Sequence, residues 1–252
     1  MNIQIPQTYS DLTEEQRKKL CYTLLTSMNV ENSSDSNILF CIIKLLLSHL
    51  PKRTQQKVLN EVPFSTLWQY AEPFLSTEKL YHFPYITKMV APAPRLANLT
   101  IKQFSVADSI YYRLHLSQFK DETLLRQLTA SLYCFKDKPF DILELPQVAE
   151  QTDKEDIKTA YEVAFAYTCC REYIISKFPK VFSSPNPSKR EEKPIFRKEA
   201  AYTPFSKIIN VMAMDKYQPL GNWHQCNVTR VYDFFEVLSE SMLQAEQKAK
   251  NN

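Results

Sequence analysis

Apolar positions in this chain recur mostly at spacings of three and four, the period of helices laid on a core. The strongest run, NILFCIIKLLLSHL (Asn37–Leu50), predicts a central core helix that begins near Ser36 and is ended by Pro51. It is too short to span a bilayer and is interrupted by Lys44. Ahead of it, Leu20, Leu24 and Met28 form one stripe in a helix whose Thr13 and Gln16 have capping-box spacing, and the polar run NVENSSDSN separates the two. The opening NIQIP alternates and reads as an extended arm or edge strand. A short helix is expected from Pro63, since proline suits the first helical position. YHFPYITKMVAPAPRLAN, carrying Pro84, Pro92 and Pro94, is expected to be irregular or extended.

Thr100 and Gln103 repeat the capping-box spacing and open the stretch NLTIKQFSVADSIYYRLHL. On its helical wheel Ile101, Phe104, Ala107, Tyr111 and Leu114 share one side, yet Asp108 falls inside that apolar arc and His115 near its edge. A further helix is expected from Asp121 to Cys134 with Leu124, Leu125, Leu128 and Leu132 inward, then a loop with one short strand in KDKPFDILELPQ. Thr152 and Glu155 have the spacing to cap the longest helix, which runs to about Phe178. The division is therefore a helical domain over 1–182, a charged, proline-rich linker or loop over 183–203, and a C-terminal helical segment over 204–252. That segment has a short helix to about Met214 and a last one from Asn227, with Val228, Val231, Phe235, Leu238 and Met242 on its stripe and a fraying tail, AEQKAKNN. The fold class is mainly α, an irregular multi-helix domain with a helical appendage and at most one or two short strands.

Composition narrows the chemistry. The 252 residues include a single glycine, Gly221, where ordinary usage would supply about 18. A GxGxxG turn, a Walker loop and a GxSxG elbow are thereby excluded, and glycine-dependent hairpins are disfavoured. A formal charge of +3 makes no demand for a nucleic-acid or membrane partner. Cys21, Cys41, Cys134, Cys169, Cys170 and Cys226 contain no CxxC and read as reduced, small hydrophobes. No basic stretch followed by an apolar one opens the chain, so export by a signal peptide is not expected, and the sequons at Asn98 and Asn227 are then irrelevant.

Asp108 admits two readings. With Tyr112 one turn on and His115 two turns on, it has the residue types of an acid–base site; alternatively it is a structural carboxylate satisfied by a partner, such as backbone N–H groups of the preceding proline-rich segment. The structural reading is preferred, because no nucleophile or oxyanion donor is nominated elsewhere. His224 and Cys226 supply only two soft ligands where structural zinc takes four, and His49, His82 and His115 are isolated, so neither metal nor cofactor is expected. The segment around His224 reads as a turn at Gly221, with Trp223 anchoring the last helix to the core. Lys189, Arg190, Lys193, Arg197 and Lys198 alternate with Glu191, Glu192 and Glu199, which favours a solvated linker, or a segment ordering on a partner, over a nucleic-acid arm. The aromatics around Trp68 are either a binding surface or core; core is preferred.

Ala91–Cys134 also resembles a run in uncharacterised proteins of Bacteroidetes prophages and related phages that sit among tail or virion-assembly genes. The features that carry the resemblance are the lead-in IPQTYSDLTEEQ, Leu99-Thr100 with Phe104 and Ala107-Asp108, Leu125 with LTASLYC, and Phe178-Pro179 with Val181-Phe182 before a polar insert. It implies no catalytic residues. It implies a non-enzymatic role in tail or virion assembly, in the bacterial host cytoplasm or the particle, with other phage proteins or further copies of this chain as partners, and makes Asp108 part of a fold-specifying signature. A small helical enzyme using Asp108, His115 and Tyr112, or a nucleic-acid-associated factor, is the alternative.

Overall fold

Three of the chain's helices start with a polar residue followed three positions later by glutamine, and the structure, a computed structural model describing residues 4–27, 35–76, 78–182 and 203–251, shows each pair acting as a cap. Helix α1 (Glu14–Ser27) is opened by Thr13, whose backbone N–H donates to Gln16 Oε1 at 3.0 Å while Thr13 Oγ1 accepts from the Gln16 N–H. Gln16 Nε2 then donates to the Leu45 and Leu46 carbonyls, capping the end of α2 (Asp35–Leu46) as well. The same device recurs at Gln103. Its N–H is accepted by Thr100 at the start of α5 (Ile101–Leu116), and its Nε2 donates at 3.1 Å to the Ser131 and Leu132 carbonyls ending α6 (Glu122–Leu132). One buried amide thus satisfies the orphan groups of two helix ends.

Pro51 ends the core run as expected, and it also begins α3 (Lys52–Glu61), a helix too polar to announce itself, with Val58 its one buried residue. Helix α4 (Phe64–Ser76) follows Pro63 and tolerates Pro73 inside it. The proline-rich stretch is extended and supplies β1 (Met89–Val90), which pairs antiparallel with β2 (Cys134–Phe135) in register Met89 to Phe135. The expected strand therefore lies just before KDKPFDILELPQ, not within it. That segment forms a 3-10 turn capped by Asp141 and then α7 (Leu145–Thr152), started by Pro146. Thr152 closes α7, its hydroxyl bonding the Ala149 carbonyl, so it does not cap the next helix. Asp156 does, accepting from the Lys158 N–H at the start of α8 (Ile157–Lys177).

Helix α8 is the axis of the molecule. Its residues from Thr159 to Tyr167 are all buried, and Ala160, Ala164 and Ala166 let neighbours approach closely. It packs on α1, α6 and the 94–96 turn, while α5 lies against α6. A short α9 (Pro179–Phe182) leads to the charged segment; the linker expected over 183–203, with Lys189, Arg190, Lys193, Arg197 and Lys198, lies outside the described residues except for Thr203, and Met28 lies outside them too. After it come α10 (Phe205–Met214), α11 (Trp223–Val228) and α12 (Val231–Asn251). The last helix starts at Val231, because Asn222 and Gln225 cap a separate α11 first. It continues helically through the tail expected to fray, where Ala245, Gln247 and Lys248 are good helix formers.

The C-terminal helices enter the same hydrophobic core as the rest. Phe205 and Phe235 meet Phe104 of α5 at ring separations of 5.4 and 5.6 Å, and Phe182 joins them. The first turns of α5 and α12 are stitched together: the Ile101 N–H donates to the Thr229 carbonyl and the Val231 N–H to the Leu99 carbonyl. Two sets of otherwise orphaned donors are satisfied reciprocally. The fold is mainly α, with twelve helices and one two-stranded sheet among the described residues. No described helix is long and apolar enough to cross a membrane.

Candidate functional site

The helical wheel placed Asp108 in the buried arc of α5, and there it has no exposed surface at all. Its partner comes from α8: Arg171 Nε donates to Asp108 Oδ1 at 2.6 Å, and the Tyr167 hydroxyl approaches the same oxygen at 3.4 Å. The guanidinium lies 5.5 Å from the Tyr111 ring centre. Burial pulls the Arg171 pKa down, but the charge and hydrogen bond of Asp108 outweigh it and hold the guanidinium above its usual range. The proline-rich segment supplies none of these contacts. His115 is exposed and turns its ring to Tyr111 and Phe119, and Tyr112 is half-buried. The arrangement joins α5 to α8; a substrate reaches Asp108 only if the core opens.

A second buried acid lies nine residues before Arg171 on the same helix. Glu162 is also wholly covered, with Oε1 bound by Arg17 Nε of α1 and Oε2 without a hydrogen-bond partner among the described residues. Burial raises its carboxyl pKa above the ordinary glutamate range despite Arg17 and Lys18, which pull it down. Nearby, burial holds the Cys21 thiol well above its usual value and pushes Cys169 up to about 11 and Cys170 up to about 12, so these remain protonated and poor nucleophiles at neutral pH. All six cysteines are free thiols.

The remaining sequence candidates scatter. Trp68 is half-buried with its ring edge-on to Phe64 at 5.8 Å. Trp223 does not anchor α12: it is 55% exposed, and its indole N–H donates to Asn210 of α10. Gly221 does hold the left-handed turn ahead of α11, at φ 78°, where a Cβ would meet the Gln225 side chain. His224 is exposed and Cys226 buried, and among the described residues no three metal-ligating side chains converge.

Two features escaped the sequence reading. Arg171 and Glu162 are charges inside an apolar helical run, the same anomaly that exposed Asp108. The other is a cleft of about 490 Å³ beside the 93–97 turn, where Arg95 and Lys177 face Tyr81, Tyr173 and Tyr232. No family model, curated protein or solved structure matches the chain.

Proposed function

We propose that this chain is a non-enzymatic protein acting through contacts with other proteins, in tail or virion assembly of a phage or prophage particle. The observation that carries the contact role is a run of large apolar side chains left outside the core on α10, α11 and the turn between them. Val211, Met214 (84% exposed), Tyr217, Trp223 and Val228 are each more than half exposed, while Phe205, Ile209 and Met212 of the same stretch are buried. Helices α10 and α11 pack against each other, and the Trp223–Asn210 bond fixes the indole at their junction. Large apolar side chains exposed on two helices that pack together suit a partner face, and tryptophan and tyrosine dominate the binding energy of such faces. The phage setting rests on the sequence resemblance.

The reading is tested by purifying the tagged chain from its native host and identifying stoichiometric companions by mass spectrometry. Tail or capsid proteins, or further copies of the chain, should accompany it, and Val211→Asp with Met214→Asp should release them without lowering the melting temperature. A monomer recovered without any such protein contradicts the proposal.

A further inference from the structure

The turn at 93–97 is built to present Arg95. Arg95 and Leu96 both adopt left-handed backbone, at φ 58° and 61°, a conformation that costs a residue with a Cβ about 1 kcal/mol or more. Three contacts impose it. Leu96 is fully buried, the Ala93 N–H donates to Asn98 Oδ1 at 2.7 Å, and the Tyr232 hydroxyl donates to the Arg95 carbonyl at 2.6 Å. Held this way, the Arg95 guanidinium lies 4.9 Å from the Tyr81 ring centre and 4.5 Å from that of Tyr173.

These two rings stand at 70° to each other, so the guanidinium can lie flat on only one of them, and the N–H groups not turned to a ring are left to find acceptors elsewhere. Among the described residues Arg95 finds none, and neither Arg95 nor Lys177 has a carboxylate within ion-pair distance. Lys177 Nζ sits 4.7 Å from the centre of the Tyr232 ring, the ring whose hydroxyl pins Arg95. Among the described residues no acidic side chain lines the cleft they share, and His82 is part of its lining. A fixed donor fork, an ammonium and three tyrosine rings, in a volume suited to a small molecule, match an anion joined to a flat ring. Burial keeps the Tyr232 hydroxyl protonated, its pKa pushed up to about 12, so that it adds no negative charge.

We propose that this cleft binds a phosphate monoester of mononucleotide size, the phosphate on the Arg95 fork and Lys177, the base against the tyrosine rings. The site is built from the 81–97 segment, the end of α8 and Tyr232 of α12 rather than from α10 and α11, and its occupancy does not depend on the assembly role. The left-handed turn that shapes it needs no glycine, so the scarcity of glycine does not preclude phosphate recognition.

The test is calorimetric titration of the full chain with adenosine 5′-monophosphate, inorganic phosphate and adenosine. The monophosphate should bind saturably and more tightly than phosphate or adenosine. Arg95→Gln and Lys177→Gln should each weaken it by about tenfold or more, the loss of one charge-assisted contact, with unchanged melting temperature. Should Arg95→Gln unfold the chain, Lys177→Gln and Lys177→Glu carry the comparison alone, the latter abolishing binding. Absence of saturable monophosphate binding, or equal affinity in the lysine variants, overturns the proposal. So does binding confined to a single-stranded oligonucleotide with steep salt dependence, which would make the cleft part of a nucleic-acid track.

Discussion

Helix α8 enters two ion pairs of opposite polarity, each with a buried acid and a partly exposed arginine, and they are finished to different degrees. Toward its C-terminal end it contributes the base, Arg171, to Asp108 of α5; toward its N-terminal end it contributes the acid, Glu162, to Arg17 of α1. Asp108 is met by Arg171 and Tyr167, and none of its buried oxygens lacks a partner. Glu162 has one oxygen bound and the other without a partner among the described residues. Removing one member of a complete buried pair strands a charge, whereas an incomplete pair already sits where burial competes with ionisation and can relax by taking up a proton. The first pair is a fixed clamp; the second is a clamp with a pH-sensitive side.

The comparison is broken most forcefully by Arg171→Met, which takes the guanidinium away from the enclosed Asp108 carboxyl. Urea unfolding at neutral pH should show a loss of about 3–5 kcal/mol. Arg17→Met should cost less, about 1–3 kcal/mol at neutral pH, because Glu162 can neutralise itself, and the loss should shrink as the pH is lowered. The sign follows from linkage. Glu162 has its pKa raised in the folded state, so the folded chain binds the proton more tightly than the unfolded one. Its cost is absent below the ordinary glutamate value and grows as the pH rises through the folded value. Glu162→Gln should therefore flatten the fall in stability across that window, measured as urea midpoints from acid to neutral pH. The twin caps come next: Gln103→Ala and Gln16→Ala should each lose about 1–3 kcal/mol by leaving helix-end carbonyls unbonded, read from thermal melts. The smallest change is Tyr167→Phe, which removes a long contact to Asp108 and should cost under about 1 kcal/mol in the same assay.

What the sequence disclosed was local. Thr13 with Gln16 and Thr100 with Gln103 are three apart, so their caps were legible, and Asp108 stood out because it interrupts a periodic stripe. Its partner was not legible. Arg171 lies 63 positions away on a helix buried on most of its surface, where the apolar pattern has no phase to say which side faces α5. Helix α3 was missed for the opposite reason, since KRTQQKVLNE has hardly any apolar face to read. Thr152 misled because a neighbouring Asp156 makes the better cap, while Thr152 bonds back into α7. The β1–β2 pairing joins two-residue strands across 44 positions or more, which no local pattern encodes. The Arg95 cleft escaped because left-handed backbone was tied to glycine, whereas seven described residues other than glycine adopt it under tertiary constraint.

That the buried charges of α8 hold helices together, rather than perform chemistry, is tested most directly by a double-mutant cycle of Asp108→Asn and Arg171→Met followed by urea unfolding. Each single change should be strongly destabilising, with the pair recovering a coupling on the order of 2–3 kcal/mol. An Asp108→Asn chain as stable as the parent, with no coupling to Arg171, would contradict it.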